Sequence, residues 1–205
     1  TATSNGTRGL TIGGGTASAD NVDVIDYVTI ASTGNATDFG DLGTATRTSG
    51  STASSTRGVS AGGRTSSSNN VNVIEYVTIA STGNASDFGD LTNSVRELAN
   101  GNISSGTRGV FSGGSTGSVQ NVIQYITIAS TGNATDFGDL TEAKNWSGCC
   151  SSTTRGLTGG GYTASTSSNV IDYITIASTG NATDFGDLDR NLWALAGCSN
   201  VHGGL

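Results

Sequence analysis

The chain has 205 residues, of which 34% are hydrophobic, 12% are charged and 32 are glycine. Its net charge of −7 leaves no basic surface for phosphate groups, so we do not expect it to bind nucleic acid. No apolar run reaches the ~18 residues of a transmembrane helix, and we expect no membrane insertion. Short apolar runs separated by Ser, Thr and Gly favour strands joined by turns.

A nineteen-residue stretch, VIDYVTIASTGNATDFGDL in its first copy, occurs four times with few changes. The copies span 24–42, 73–91, 122–140 and 170–188, and their tyrosines are Tyr27, Tyr76, Tyr125 and Tyr173. These tyrosines recur every 48 or 49 residues, and a fixed period of this kind indicates a repeat architecture. We therefore expect one repeat domain over 1–205, with repeats of approximately 1–49, 50–100, 101–147 and 148–196, and a terminal strand or tail at 197–205.

A Thr-Arg-Gly motif precedes each copy and begins a short apolar run that ends in glycines. The run predicts a strand whose end has no room for side chains. The arginines of the motif are Arg8, Arg57, Arg108 and Arg155. We interpret each as a tie between its strand and a neighbouring carboxylate or carbonyl; the alternative is a channel lining that binds anions. The loops that follow vary most, and individual function is expected there: 16–20, 64–70, 115–120 and 162–168.

The nineteen-residue stretch itself predicts a hairpin with a first strand that is apolar on both faces. Gly34-Asn35 is the expected two-residue turn. Asp26 becomes Glu75, Gln124 and Asp172 in the later copies, so we expect this position to be polar and exposed. The return strand carries an aromatic residue twelve positions after each tyrosine, namely Phe39, Phe88, Phe137 and Phe185.

The segment after each hairpin repeats least well, and we expect a fourth, irregular edge strand or a covering loop from it. The last such segment runs into 194–205, where His202 falls near the place of the repeated arginine. Cys149, Cys150 and Cys198 occupy equivalent places in successive repeats. They are interpreted as small residues in a packed turn, with a link from Cys149 or Cys150 to Cys198 as the alternative.

Three strands and a fourth in about 49 residues fit a blade of a β-propeller. The order of arginine, double glycine, variable loop, tyrosine strand and large aromatic resembles kelch-type blades, with Phe where kelch usually has Trp. The T-R-G/G-G and G-N-A-T-D-F-G-D-L repeats, and the C-S-N-x-H-G-G ending, are similar in sequence to repeats of predicted structural proteins of marine bacteriophages. We expect an all-β, β-propeller-like protein with four kelch-like blades, closed by an overlapping terminal strand; the alternative is an open β-solenoid or stacked β-repeat.

Paired aspartates in the Asp-Phe-Gly-Asp element are candidate calcium ligands: Asp38, Asp41, Asp87, Asp90, Asp136, Asp139, Asp184 and Asp187. We favour turn capping by these residues, because the D-x-[DN]-x-[DN]-G loop is absent. The Asp-Phe-Gly triplet resembles the magnesium motif of kinases, but no H-R-D loop accompanies it. A nucleophile–base pair is not expected, because the chain has one histidine. We expect no enzyme activity and no cofactor.

The phage resemblance implies a structural component of a virion, in a tail fibre, knob or capsid appendage that contacts the host surface. Its partners would be other virion proteins, copies of itself and a host cell-surface glycan. Two alternatives stay open. The first is a carbohydrate-binding propeller, in which repeated shallow sites give avidity. The second is a subunit of a self-assembling extracellular filament.

Overall fold

The computed structural model describes residues 1–18 and 20–198, and within them every regular element is a β-strand. No helix long and apolar enough to cross a membrane occurs in this part of the chain. Four small antiparallel sheets are arranged as the blades of a four-blade β-propeller, so the predicted fold class is confirmed. Each blade follows the chain from its inner strand to its outer strand.

The strands are as follows. Blade 1 contains β1 (Ala2–Ser4), β2 (Arg8–Gly15), β3 (Asn21–Thr29) and β4 (Thr37–Asp41). Blade 2 contains β5 (Gly50–Ala53), β6 (Arg57–Ala61), β7 (Val73–Thr78) and β8 (Ser86–Asp90). The two-residue β9 (Asn100–Gly101) precedes blade 3, which contains β10 (Ile103–Ser104), β11 (Arg108–Ser112), β12 (Val122–Thr127) and β13 (Thr135–Asp139). Blade 4 contains β14 (Gly148–Ser151), β15 (Arg155–Gly159), β16 (Ser168–Thr175) and β17 (Thr183–Leu192), and β9 joins it by pairing in parallel with β14.

The segment after each of the first three hairpins supplies a fourth strand, as predicted, but this strand belongs to the next blade rather than to the blade of its own hairpin. The segment crosses from the outer strand of one blade and ends as the innermost strand of the next. Thr52 on β5 is fully buried, and its hydroxyl lies 3.1 Å from the Asn102 side-chain oxygen beside the inner strand of blade 3. Ser51 donates to the Ala2 carbonyl of blade 1 at 2.9 Å. Small polar side chains suit this position because the inner strands lie close together and their side chains satisfy one another.

The hydrophobic core lies between successive blades. In the first interface, Leu10, Ile25 and Phe39 of blade 1 pack with Val77 and Ile79 of blade 2. Equivalent clusters join blade 2 to blade 3 and blade 3 to blade 4. In the two interior blades, one face therefore packs on the blade before it and the other face on the blade after it, as the doubly apolar strands predicted.

The glycines at the end of each Thr-Arg-Gly strand leave no room for a side chain. A Cβ on Gly62 would lie 2.6 Å from the Val95 carbonyl oxygen, and one on Gly113 would lie 2.4 Å from that of Lys144. Both residues also have φ 65°, a left-handed conformation that glycine adopts without strain. The predicted tight strand ends are confirmed.

Among the described residues, blade 4 and blade 1 make none of the hydrogen bonds that join the other pairs of neighbouring blades. The terminal strand expected to close the ring falls on 197–205, of which only Gly197 and Cys198 belong to the described residues. Gly197 donates to the Asn100 carbonyl oxygen at 3.3 Å, close to the inner strand of blade 4. His202 lies outside the described residues.

Candidate functional site: the repeated motif and the loop end

In blades 2, 3 and 4, the Gly-Asn-Ala segment joins its blade to the blade before it. Gly83 N–H donates to the Phe39 carbonyl at 2.7 Å, and Ala85 N–H donates to the Asp41 carbonyl at 2.8 Å. In return, the Asp41 N–H donates to the side-chain oxygen of Asn84 at 3.1 Å. The same three bonds recur at the next two interfaces, where Asn133 accepts from Asp90 at 3.0 Å and Asn181 from Asp139 at 3.1 Å.

The prediction of a two-residue Gly-Asn hairpin turn was therefore wrong. In blade 1 the chain turns earlier, where Ser32 N–H donates to the Thr29 carbonyl, and Gly34-Asn35 lies further along the connection, where the chain has no regular structure. The sequence signal was ambiguous because glycine also serves wherever φ is positive, as at Gly83 with φ 154°, without a tight turn. A Cβ on Gly40 would lie 2.5 Å from the Gly83 carbonyl carbon of the next blade.

The repeated arginine also reaches the next blade. Arg8 Nη1 donates to the Ile79 carbonyl at 2.8 Å, while its guanidinium carbon lies 4.6 Å from the centre of the Tyr27 ring. Tyr27 in turn makes an edge-to-face contact with Phe39, with ring centroids 5.9 Å apart. The corresponding arginine bonds run from Arg57 to Ile128 and from Arg108 to Ile176. These arginines are thus ties to a neighbouring carbonyl, and the channel interpretation has no support from their placement.

The position first occupied by Asp26 is half-buried in blade 2 and buried in blades 3 and 4, against the prediction that it is exposed. Gln124 and Asp172 are almost fully buried. The reason is that the side chain accepts a backbone hydrogen bond from the preceding blade, from Thr92 N–H to Gln124 at 2.7 Å and from Gly43 N–H to Glu75 at 2.7 Å. Burial raises the pKa of Glu75, and the N–H groups of Gly43 and Thr44 oppose this by stabilising the carboxylate.

Lys144 and Asp172 form an ion pair between blades 3 and 4. Their charged atoms lie 2.8 Å apart, and both side chains are almost completely buried. Lys144 also donates to the Val170 carbonyl at 3.1 Å. The earlier repeats have uncharged residues at the place of Lys144, so the pair is local to one interface. One feature of the sequence points to this local ion pair: Lys144 is the only lysine of the chain.

The candidate calcium ligands are spread along the outer strands of the blades. Asp38 and Asp87 are exposed, whereas Asp41 and Asp90 are half-buried and contribute backbone groups to the blade contacts. In blade 4, Asp184 accepts a local hydrogen bond from Gly186 N–H at 3.0 Å. Within residues 1–18 and 20–198, no group of three His, Cys, Asp or Glu side chains is gathered as a metal site would require.

The variable loops lie at the end of each blade opposite the Gly-Asn-Ala segments; this set of loops is called the loop end. Neighbouring blades touch there, since Asn21 N–H donates to Ser66 Oγ at 3.0 Å. On blade 4 the loop end carries an aromatic pair of Tyr162 and Trp193, with ring centroids 6.1 Å apart. Both rings are exposed, by 39% and 56% respectively. Tyr162 lies in the predicted loop of 162–168, but nothing in the sequence marks Trp193 as its partner.

The three cysteines are free thiols, so neither proposed link to Cys198 is formed. Cys149 is buried, and burial raises the pKa of its thiol far above the ordinary value. The pKa of Cys150 is also raised, first by burial and then by the neighbouring charge of Cys198. Cys198 is exposed.

No protein-family model and no curated protein matches this chain. The geometry is thus the main guide to function. It assigns the repeated side chains to contacts between blades and leaves the loop end as the surface whose residues differ from blade to blade.

Proposed function

We propose that this chain is a non-enzymatic structural component of a bacteriophage virion, in a tail fibre, knob or capsid appendage. The proposal rests on one observation, namely that the repeated motif joins neighbouring blades. Asn84 and Arg8, which recur at equivalent positions, bind backbone groups of a neighbouring blade. A chain whose most repeated polar residues serve packing is suited to a mechanical role.

The kelch-like order of the motifs and their similarity to predicted structural proteins of marine bacteriophages support the same assignment. A catalytic site brings unlike residues together on a rigid frame. In this chain each repeat supplies the same few polar side chains, and these have structural partners. Location in the extracellular particle and contact with other virion proteins follow from the proposed role.

The loop end is the proposed surface for contact with a host. Loops carried on a rigid scaffold are where recognition usually resides. The loops differ between blades: the segment at 64–70 is rich in serine and asparagine, whereas Tyr162 begins the loop of blade 4. Because the loops differ between blades, the surface offered to a host lacks the repeat symmetry of the frame that carries it.

The virion role is tested by raising an antibody to the purified chain and applying it to intact particles of the source. We expect gold label at an appendage, together with peptides of the chain in the mass spectrum of purified virions. Peptides found in infected cells but never in washed particles would contradict the proposal.

Carbohydrate binding is a second candidate, carried by the exposed pair of Tyr162 and Trp193. Aromatic faces of this kind supply apolar contact with one end open to water. A glycan array with the wild-type chain and the Trp193→Ala variant tests it. Binding that disappears in the variant supports a single lectin-like site on blade 4, and an array with no binder removes this candidate.

A further inference from the structure

The first and last blades each present a face that the interior blades bury. On blade 1, Ile30 is 53% exposed, whereas its counterparts Ile79 and Ile128 are at most 1% exposed. On blade 4, Phe185 is 51% exposed, whereas its counterpart Phe88 is 2% exposed. We call these the head face (Val28, Ile30 and Ala36 of blade 1) and the tail face (Leu157, Ile171, Phe185 and Leu188 of blade 4).

Each face also has its hydrogen-bonding groups free among the described residues. The Gly34-Asn35-Ala36 segment makes none of the bonds to a preceding blade that its three counterparts make. On the tail face, a Cβ on Gly186 would meet nothing within 4 Å, whereas one on Gly138 would lie 2.4 Å from the Gly180 carbonyl oxygen. The two faces therefore carry the two halves of one interface, and among the described residues these halves do not bond to each other.

We propose that copies of this chain associate head to tail, with the head face of one copy docking on the tail face of the next. We derive the contacts expected between copies from the three interfaces between blades within the chain. Gly34 N–H would donate to the Phe185 carbonyl, Asp187 N–H to the side chain of Asn35, and Ala36 N–H to the Asp187 carbonyl. Arg155, whose guanidinium stacks on Tyr173 at 4.6 Å, would donate to the carbonyl of Ile30.

The surfaces flanking these groups are apolar. A groove of about 370 Å³ lies between blade 1 and residues 101–102 and 197–198, and its lining includes Leu10, Tyr27 and Val28. Another, of about 320 Å³ on blade 4, is lined by residues that include Leu157 and Leu188. Exposed apolar side chains beside hydrogen-bonding groups that have no partner in this part of the chain are the features of an interaction surface. A face that meets a different face forms a heterologous contact, which produces a ring if the rotation closes and a filament if it does not.

One feature of the interface is unfavourable. Where blade 1 offers Gly43 N–H to Glu75, blade 4 has Asp189, whose carboxylate would approach Asp26 of the next copy. Repulsion between exposed carboxylates is screened by salt. Association is therefore expected to strengthen as the ionic strength rises.

The proposal is tested by light scattering after size exclusion on three proteins: wild type, Ala36→Glu on the head face and Gly186→Ala on the tail face. Ala85, the counterpart of Ala36, packs on the apolar cluster between blades 1 and 2, so a glutamate at position 36 would place a charge in the docked interface. We expect the wild type to form species larger than one 20.4-kDa chain as concentration rises. Each variant alone should be monomeric.

A mixture of the two variants separates this proposal from nonspecific association. Each variant keeps one intact face, so an equimolar mixture should form a two-chain complex and nothing larger. A wild type that stays monomeric at high concentration and high salt would overturn the proposal. So would a loss of thermal stability in monomeric Ala36→Glu as large as that in Ala85→Glu, because it would show that the head face docks within its own chain. The proposal rests on the blade contacts and is independent of the virion assignment, so failure of particle labelling would leave it standing.

Discussion

The side-chain oxygen of Asn84 accepts a hydrogen bond of 3.1 Å from the backbone N–H of Asp41 in the preceding blade. The bond is one of three that attach the Gly-Asn-Ala segments of blades 2, 3 and 4 to the preceding blade. It explains why the longest identical run of the repeats includes this tripeptide, since the residue must be complementary to the preceding repeat as well as to its own.

Replacing Asn84 with alanine should lower the free energy of unfolding by about 1 kcal/mol, the usual net value of one protein hydrogen bond. The matched control is Asn35→Ala, because Asn35 has the same sequence context and no such bond among the described residues. Urea unfolding at low protein concentration measures both. Equal losses in the two variants would show that the bond between blades is not the cause.

Disruption of the ion pair of Lys144 and Asp172 should be costly when one partner is removed. Lys144→Val leaves the Asp172 carboxylate buried and unpaired, and we expect a loss of about 3–5 kcal/mol. The double variant Lys144→Val, Asp172→Gln carries the residues that stand at these places between blades 2 and 3, where Val95 is buried and Gln124 bonds Thr92. The double variant should recover most of the stability. A double variant no more stable than the single one would show that the repeats are not interchangeable here.

Glu75→Gln should change how stability depends on pH. Because burial raises the pKa of Glu75 above its ordinary value of 4.5, the folded chain binds this proton more tightly than the unfolded chain does. The stabilisation is fully present below the ordinary pKa and is lost as the pH rises through the raised one. The wild type should thus lose stability relative to the Glu75→Gln variant from about pH 4 towards neutrality. Thermal melts of both proteins across this range measure the difference, and parallel pH profiles would contradict the expected titration.

The three thiols should react at different rates with a thiol reagent in the native state. Cys198 is exposed and should react first, whereas Cys149 should react only on unfolding, because it is buried and its pKa is raised. Cys150, half-buried and with a raised pKa, should be intermediate. Mass spectrometry of peptides after timed labelling gives the order. Fast labelling of Cys149 would show that the inner strand of blade 4 opens readily.

The repeat period and the doubly apolar strands were enough to predict the fold, because both follow from a unit that packs on neighbours at both faces. The individual residue contacts between neighbouring blades were not predictable in the same way. Gly34-Asn35 fits a tight turn by its local chemistry, and only the approach of Gly83 to Phe39 shows its use between blades. Gln124 is polar in sequence and buried in the fold for the same reason, since its partner Thr92 belongs to another repeat.

The placement of the aromatic pair on blade 4 shows the same limit. Tyr162 lies 31 residues from Trp193, and only the crossing from the outer strand of the blade brings the two rings together. No periodic signal marks the pair, because the other repeats have no aromatic residues at these places.

The most direct test of the central claim, that the repeated motif joins blades, compares Gly89→Ala with Gly186→Ala. Both glycines stand in the same Asp-Phe-Gly-Asp element with φ of 140° and 137°, so a Cβ costs the same backbone strain at each. At Gly89 the Cβ would also lie 2.6 Å from the Gly132 carbonyl carbon of the next blade, whereas at Gly186 it meets nothing. We expect Gly89→Ala to be less stable than Gly186→Ala by at least about 2 kcal/mol in urea unfolding of the dilute chains. Equal losses of stability in the two variants would contradict the account.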